Sequence, residues 1–297
     1  MICLTIRFRT FIVILLLGLF SQEYLSAQRH QYIFLGHTYE WHTGGAKVDH
    51  RLEELDFSDY SRIWLGGDIC SEASLNYSTL QYIDSLFDIG APGNHWSLGN
   101  HDIRNGNVEW FEELTGRETY YAYHSLGVTT MVLNTCLTPY QCEDLEKQFT
   151  MIQNVCDTLA ASSHLIVLMH HAVWDSLPGL PWPGSYSHTE FPFWNASCKF
   201  LPNNTFRGQI YPLLVSVKDR GIHVICVSGD MGANAKKFEA ESTDGIIFLG
   251  CGLNNSYYTD PVIREQQPRD QVLIFAHEPQ SRSLSWTFVT LNSLLDD

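Results

Sequence analysis

Four short polar clusters, each placed directly after an apolar run, constrain the fold of this chain more than any other feature. The runs at residues 61–65, 96–98, 165–169 and 222–227 have the length and composition of buried strands. Because the carboxyl ends of successive strands meet along one crevice of an open α/β sheet, we expect the clusters to converge. Asp, Asn and His side chains together suit a divalent cation. The clusters are Gly67-Asp68, Gly99-Asn100-His101-Asp102, His170-His171 and Gly229-Asp230.

The order of the elements predicts an α/β protein in which two sheets pack as a β-sandwich flanked by helices. Helical patterns at 50–57, 75–87, 108–114, 143–160 and 209–220 alternate with strands through the first two thirds. Residues 120–123 and 128–134 are typical of a hairpin, and strands at 245–249, 271–275 and 284–291 fill the last third. This order favours a sandwich over one doubly wound sheet. No linker-like composition divides residues 28–297, which we expect to form one domain.

The first 27 residues have the layout of a secretory signal peptide. Arg7 and Arg9 precede an apolar run at residues 11–20, and small residues end at Ala27, the expected cleavage point. The run is shorter than the roughly 20 apolar residues that span a bilayer, although a retained signal anchor is the alternative. We therefore expect a secreted or periplasmic protein with no stable membrane association after cleavage.

The charge balance limits the class of partner. The chain carries 18 basic and 33 acidic residues, a formal net charge of −15. So acidic a surface repels polyphosphate backbones and lacks the basic stripe of a nucleic-acid binder. A small phosphorylated substrate remains compatible, because a metal ion brings its own local positive charge.

The cysteines fit no zinc-ribbon spacing. Cys226 and Cys251 lie in or beside apolar strand runs, so we expect buried thiols there. Cys136, Cys142 and Cys198 lie in polar or loop-like stretches, where they could pair in an oxidising compartment.

Two further groups of residues have plain structural interpretations. The aromatic-rich segment 174–206 is either a lid or binding wall, as long ordered loops often are, or aromatic packing on the core. The histidines outside the clusters are interpreted as surface or packing residues; they are His95, His124, His164, His188 and His277.

In order and context, the clusters resemble the motifs of the calcineurin-like metallophosphoesterases, from about Ile33 to Leu253. The family pattern runs Asp-x-His, Gly-Asp, Gly-Asn-His-Asp/Glu, a His after a strand, and Gly-His-x-His. The strongest matches are residues 98–102 and residues 218–224 leading into Ser228-Gly229. The resemblance implies a four-layer metallophosphatase-like fold with two metals at the strand ends.

This chain departs from the family pattern at both ends. Gly36-His37-Thr38-Tyr39 replaces the first motif, with His37 in either the Asp or the His place, and Gly229-Asp230-Met231-Gly232 replaces the last. Carried over by position, one site keeps Asp68, Asn100, His170 and Asp230 and is complete. The other keeps the bridging Asp68 and His37, plus Tyr39 only if it binds as phenolate, and is depleted. We therefore expect one or two divalent ions, among Mn, Fe, Zn and Mg.

The resemblance implies hydrolysis of a phosphomonoester or phosphodiester by a metal-bound hydroxide. His101 would protonate the leaving oxygen or stabilise its charge, and Asp102 would hold the His101 ring. The expected substrate is a phosphorylated small molecule or a glycan-type compound. The alternative is a non-catalytic module that captures a phosphorylated or sugar ligand, favoured by Gly232 and the altered first motif. A nuclease is disfavoured by the negative charge.

Overall fold

The computed structural model describes residues 29–137, 142–174, 177, 179–181, 206–231, 236–254 and 257–295. The strands are β1 His30–Leu35, β2 Arg62–Leu65, β3 His95–Trp96, β4 Tyr121–Ser125, β5 Val128–Val132, β6 His164–Met169, β7 His223–Ser228, β8 Lys237–Glu241, β9 Ile247–Cys251, β10 Gln271–Glu278 and β11 Ser283–Thr290. The α-helices are His50–Glu53, Tyr77–Phe87, Asn100–Ile103, Glu109–Thr115, Cys142–Thr158, Tyr211–Asp219 and Pro261–Gln266.

The strands form two sheets. One has five strands in the order β11-β10-β1-β2-β3, and the other has six in the order β4-β5-β6-β7-β9-β8. β1, β2 and β3 are parallel, as are β5, β6, β7 and β9, whereas β10, β11, β4 and β8 pair antiparallel with their neighbours. The parallel strands of each sheet therefore deliver their carboxyl ends to one edge of that sheet.

Three apolar clusters hold the layers together. The one between the sheets includes Phe34, Trp64, Ile166, Val227 and Phe275, all nearly inaccessible to solvent. A second cluster packs the helix Tyr77–Phe87 on the outer face of the five-stranded sheet, and a third packs Cys142–Thr158 and Tyr211–Asp219 on the six-stranded sheet. Helix, sheet, sheet and helix follow one another, so the predicted two-sheet fold class is confirmed.

The differences from the predicted elements have local causes. β8 was not predicted, because it is an edge strand whose Lys237, Glu239 and Glu241 give no apolar run. The helix predicted over 209–220 is α-helical only from Tyr211, after a π-helical turn at Phe206–Ile210. Pro212 lies in the first turn of that helix, the position where a residue without an N–H is tolerated.

The described ends of the aromatic-rich segment are core residues. Trp174 is fully buried, with its ring 5.0 Å from that of Phe248 and 5.6 Å from that of Phe238, and Phe206 is also buried. Trp174 and Phe206 therefore pack on the core, in agreement with the interpretation of this segment as aromatic packing. A lid formed by residues 182–205 lies outside the described residues.

The cysteine predictions are largely confirmed. Cys226 and Cys251 are buried free thiols. Cys142 is disulfide-bonded, but Cys136 keeps a free thiol that donates to the carbonyl oxygen of Leu98 at 3.5 Å. Cys198 and the predicted signal peptide lie outside the described residues. Within the described part of the chain, no helix has the length and apolarity that a membrane span requires.

Candidate metal centre

The loops after five strands bring the predicted ligands together. His37 follows β1, Asp68 follows β2, Asn100 opens the short helix after β3, His170 follows β6 and Asp230 follows β7. His37, Asp68, His170 and Asp230 are almost completely buried. Burial of so many ionisable groups in one place is costly unless they bind each other or a cation.

The backbone at two of these residues is strained. His37 and Asp68 have φ angles of 51° and 55°, in the left-handed region that residues other than glycine seldom occupy. Such strain persists where the surrounding structure enforces it, which is common at functional sites. Glycines create the room: a Cβ on Gly67 would lie 2.5 Å from His170 Nδ1, and one on Gly99 only 2.2 Å from Asp68 Oδ1.

Asp68 is the central carboxylate. Its Oδ1 lies 3.5 Å from His170 Nε2, and its Oδ2 lies 3.9 Å from His37 Nε2 and 4.0 Å from His101 Nε2. Oδ1 also accepts a hydrogen bond from the backbone N–H of His101 at 2.9 Å. Both oxygens thus face imidazole nitrogens at 3.5 to 4.0 Å, which is longer than a hydrogen bond of ordinary length. This separation leaves space between the groups for a shared ion.

Backbone carbonyls orient two of the imidazoles. His170 Nδ1 donates to the carbonyl oxygen of Gly66 at 2.8 Å, and His37 Nδ1 donates to that of Leu253 at 3.2 Å. Because a carbonyl oxygen only accepts, the proton lies on Nδ1, and the Nε2 lone pair of each ring faces Asp68. Pinning one ring nitrogen to direct the other at a metal is the usual outer-shell arrangement.

The donor set fits a divalent cation. The lone pair of His170 Nε2 points at Asp68 Oδ1 and also lies 3.2 Å from Asn100 Oδ1, so three electron-rich atoms face one another. The buried hydroxyl of Tyr39 makes no hydrogen bond in the described structure. A cation bound by His170, Asp68 and Asn100 would have the nitrogen and oxygen ligands that zinc, iron and manganese accept.

The electrostatics show the same need for positive charge. Burial by itself would lower the pKa of His170, but the carboxylates of Asp68 and Asp230 outweigh burial and raise it. Burial would likewise raise the pKa of Asp68, but His170 and His37 outweigh it and lower that pKa. The carboxylates of the centre therefore favour positive charge at His170, which a bound cation would supply in place of a proton.

The ligand atoms fall into two groups that share one residue. His170, His171 and Asp230 form one group, and His37, Asp68 and Asp230 form the other, with the ligand atoms of each group within 4.8 Å of one another. The sequence interpretation had placed Asp230 in one site only and had left His171 unassigned. The group around His37 therefore has three ligand atoms rather than two, and Asp230 offers a bridge. Gly232 lies outside the described residues.

Asp102 has a different role from the one expected. Its carboxylate accepts hydrogen bonds from the backbone N–H groups of Asp68, Ile69 and Gly99, each at 2.8 Å, and from the indole of Trp96 at 3.2 Å. Its oxygens are thus committed to backbone donors rather than to the ring of His101. Asp102 holds the Asp68 loop in place, so we revise its assignment from catalytic to positioning residue.

Arg104, rather than Asp102, contacts the ring of His101. Its guanidinium donates to His101 Nδ1, and its Nε donates to the carbonyl oxygen of Ser71 at 3.1 Å. Since arginine has no acceptor, His101 Nδ1 must accept, and the ring proton lies on Nε2, the nitrogen that faces Asp68. Burial lowers the pKa of His101 and the charge of Arg104 adds to this, although Asp68 opposes it. His101 thus presents a neutral N–H donor to the centre.

Tyr39 occupies the position of an expected ligand without reaching a carboxylate partner in the described structure. Its ring stacks on His101, with centroids 5.1 Å apart, and lies 4.8 Å from the ring of His37. Burial and the nearby charge of Asp68 raise the pKa of Tyr39 strongly, so the phenol stays neutral without a metal. A neutral phenol is a weak ligand compared with an imidazole.

No family model matches the chain, and no curated protein matches it. Among solved structures, the chain is similar to a crystal structure of wild-type Vps29 from Entamoeba histolytica, complexed with zinc. The identity is 12%, the match covers 88% of this chain and 99% of that one, and the TM-score is 0.33. The fold assignment rests on the two sheets described above.

Proposed function

We propose that this protein is an exported, metal-dependent hydrolase of phosphate monoesters or diesters. The observation that carries the proposal is the buried carboxylate of Asp68, which faces the Nε2 atoms of three histidines at 3.5, 3.9 and 4.0 Å. The order of the motifs along the chain supports it, and so does the two-sheet fold. Export is supported by the layout of residues 1–27.

The centre offers two places for a cation. One lies among His170, His171 and Asp230, beside Asn100, and the other lies among His37, Asp68 and Asp230. When bound, a divalent cation supplies Lewis acidity, which neutralises charge on phosphoryl oxygens and acidifies water.

The residues around the cation position and stabilise the reacting groups. His101 Nε2–H points into the centre and can donate to the leaving oxygen as negative charge develops there. Arg104 fixes the tautomer that makes this donation possible, and its exposed guanidinium also brings positive charge to the mouth of an otherwise acidic centre. The backbone N–H bonds to Asp102 keep Asp68 in its strained position.

A non-catalytic ligand-binding protein is the second candidate. Tyr39 favours it, because a neutral phenol stands where the family pattern expects an imidazole. In that case the centre would hold ligand and metal without turning the ligand over.

The test is a matrix of divalent ions against two esters, with metal analysis of the purified protein. Mn²⁺, Zn²⁺, Fe²⁺ and Mg²⁺ are assayed with 4-nitrophenyl phosphate and bis(4-nitrophenyl) phosphate. We expect turnover that EDTA abolishes, and at least a tenfold loss of cation affinity in Asp68→Asn. His164→Gln, at the opposite end of β6 from His170, is the matched control and should keep both properties. Stoichiometric metal without turnover of either ester would favour the ligand-binding candidate.

A further inference from the structure

Three aromatic side chains form a row from the candidate metal centre towards the surface. Tyr39 contacts the centre through its stacking on His101. Trp41 follows, with its ring 4.9 Å from that of Tyr39, and Tyr257 follows Trp41 at 4.9 Å in an edge-on contact. We call Tyr39, Trp41 and Tyr257 the aromatic row.

Exposure increases along the aromatic row. Tyr39 is 3% exposed, Trp41 is partly buried and Tyr257 is 53% exposed. Of the large exposed hydrophobic side chains in the described part of the protein, Tyr257 is the one that carries an aromatic ring. The ring of Tyr257 also contacts that of Tyr258 edge-on at 5.3 Å. The row therefore begins at the centre and ends with an aromatic side chain that is about half exposed, as a binding surface for a flat group requires.

The backbone that carries Trp41 is well ordered by hydrogen bonds. Tyr39 forms an antiparallel bridge with Val48, the N–H of Gly44 bonds the carbonyl oxygen of Trp41, and Gly44 has a φ of 69°. Glu40 begins this turn and accepts from the N–H of His42. A backbone held in this way loses little conformational entropy when a ligand binds against it.

We infer that the aromatic row binds a planar aromatic group of the substrate, joined to its phosphate by a spacer. This inference rests on the proposed phosphoesterase function. Tyr39 already stacks on His101 and contacts His37, so the exposed ring lies further out, at Tyr257. Two ring-to-ring steps separate Tyr257 from Tyr39, so a ring attached directly to phosphorus falls short and a ring carried on a sugar-sized spacer reaches.

The test compares two esters that differ only in the planar ring: adenosine 5′-monophosphate and ribose 5-phosphate. Stacking of one base on an aromatic side chain predicts a KM about tenfold lower for the nucleotide in the wild-type protein. Tyr257→Ala should raise the KM for the nucleotide about tenfold and leave kcat, metal content and the KM for ribose 5-phosphate unchanged. Val262→Ala, which alters a comparably exposed apolar side chain, is the control and should change neither KM.

The outcomes separate this inference from the proposed function. Turnover of both esters with equal KM values would refute the binding role of the aromatic row without contradicting the hydrolase function. An equal effect of Tyr257→Ala on the two KM values would do the same. If the wild-type protein hydrolyses neither of these two monoesters, the hydrolase proposal is decided by the 4-nitrophenyl esters alone. The row is then judged by equilibrium dialysis of the two phosphates with Zn²⁺ present. Tighter binding of the nucleotide that Tyr257→Ala removes supports it, and equal binding of the two phosphates refutes it.

Discussion

The carboxylate of Asp102 accepts a hydrogen bond from the backbone N–H of Asp68 at 2.8 Å, so one buried acid holds another in its strained conformation. The same carboxylate binds the N–H groups of Ile69 and Gly99, which ties the loops after β2 and β3 together. Burial and the charge of Asp68 raise the pKa of Asp102, and the backbone donors oppose that rise. The two loops therefore form one unit whose centre is a side chain that need not touch substrate.

Replacing Asp102 tests this positioning role. Asp102→Ala leaves several buried N–H groups without an acceptor, and we expect the free energy of unfolding to fall by about 3 kcal/mol. Denaturant titration followed by circular dichroism measures the loss. Asp102→Asn retains one acceptor oxygen, so its free energy of unfolding should lie between those of the wild-type protein and Asp102→Ala.

The matched control for this change is Asp59→Ala, which removes an exposed carboxylate from the turn Phe57–Asp59. It should alter stability by less than about 0.5 kcal/mol. A similar stability for Asp102→Ala and Asp59→Ala would show that the backbone hydrogen bonds of Asp102 contribute little.

The positions of the main site residues could be predicted because they depend on topology. Residues after neighbouring parallel strands meet at one edge of a sheet, so His37 lies near Asp68 because β1 pairs with β2, and His170 lies near Asp230 because β6 pairs with β7. The packing of the two sheets against each other then brings these two pairs together. The direction in which a side chain points after leaving the strand is set by local turns. For this reason, His171 and the shared use of Asp230 could not be derived from the sequence.

Two other residues had a sequence signal that was not used. Asp102 stands three residues after Gly99, the spacing at which a carboxylate caps the first turn of a helix. Arg104 stands three residues after His101, so the two side chains are neighbours if a helix begins at Asn100. The short helix Asn100–Ile103 was not predicted, since four residues carry no periodicity.

Gly99 provides the space for the central carboxylate. A Cβ at this position would lie 2.2 Å from Asp68 Oδ1 and 2.4 Å from its backbone nitrogen. We expect Gly99→Ala to displace Asp68 and to weaken Zn²⁺ binding at least tenfold, as measured by isothermal titration calorimetry. Gly90→Ala is the control, because its Cβ would meet only the carbonyl oxygen of Leu114 at 3.5 Å. Unchanged affinity in Gly99→Ala would mean that Asp68 is not a ligand.

Arg104 should affect turnover rather than metal binding. Arg104→Ala removes the donor that holds the proton of His101 on Nε2, and we expect kcat to fall about tenfold at constant Zn²⁺ affinity. Arg104→Lys restores a donor and should recover part of the rate. Lys147→Ala, at an exposed cation on the helix Cys142–Thr158, controls for the change in net charge. A rate lost equally in the Ala and Lys variants would exclude the tautomer role.

The buried histidines outside the motifs should make the free energy of unfolding depend on pH. His95, His164 and His277 are buried in the folded protein, as packing residues should be. Burial, reinforced by the charges of Arg117 and Arg62, lowers the pKa of His95 to about 3. Burial also lowers the pKa values of His164 and His277 to about 4. In the folded state these rings resist protonation, whereas in the unfolded chain each binds a proton below pH 6.5.

Folding stability should therefore fall as the pH drops from 6.5 towards 4, because the unfolded state binds more protons across that window. His95 alone accounts for about 2 kcal/mol between pH 7 and pH 5. Denaturant titrations at pH 7 and pH 5 measure the difference in the free energy of unfolding between the two pH values. This difference should be about 2 kcal/mol smaller in His95→Gln, because glutamine does not titrate. Leu75→Ala changes an exposed side chain that does not titrate and should leave the difference unaltered. A wild-type stability that is constant between pH 7 and pH 5 would mean that the buried imidazoles gain charge without penalty, contrary to their burial.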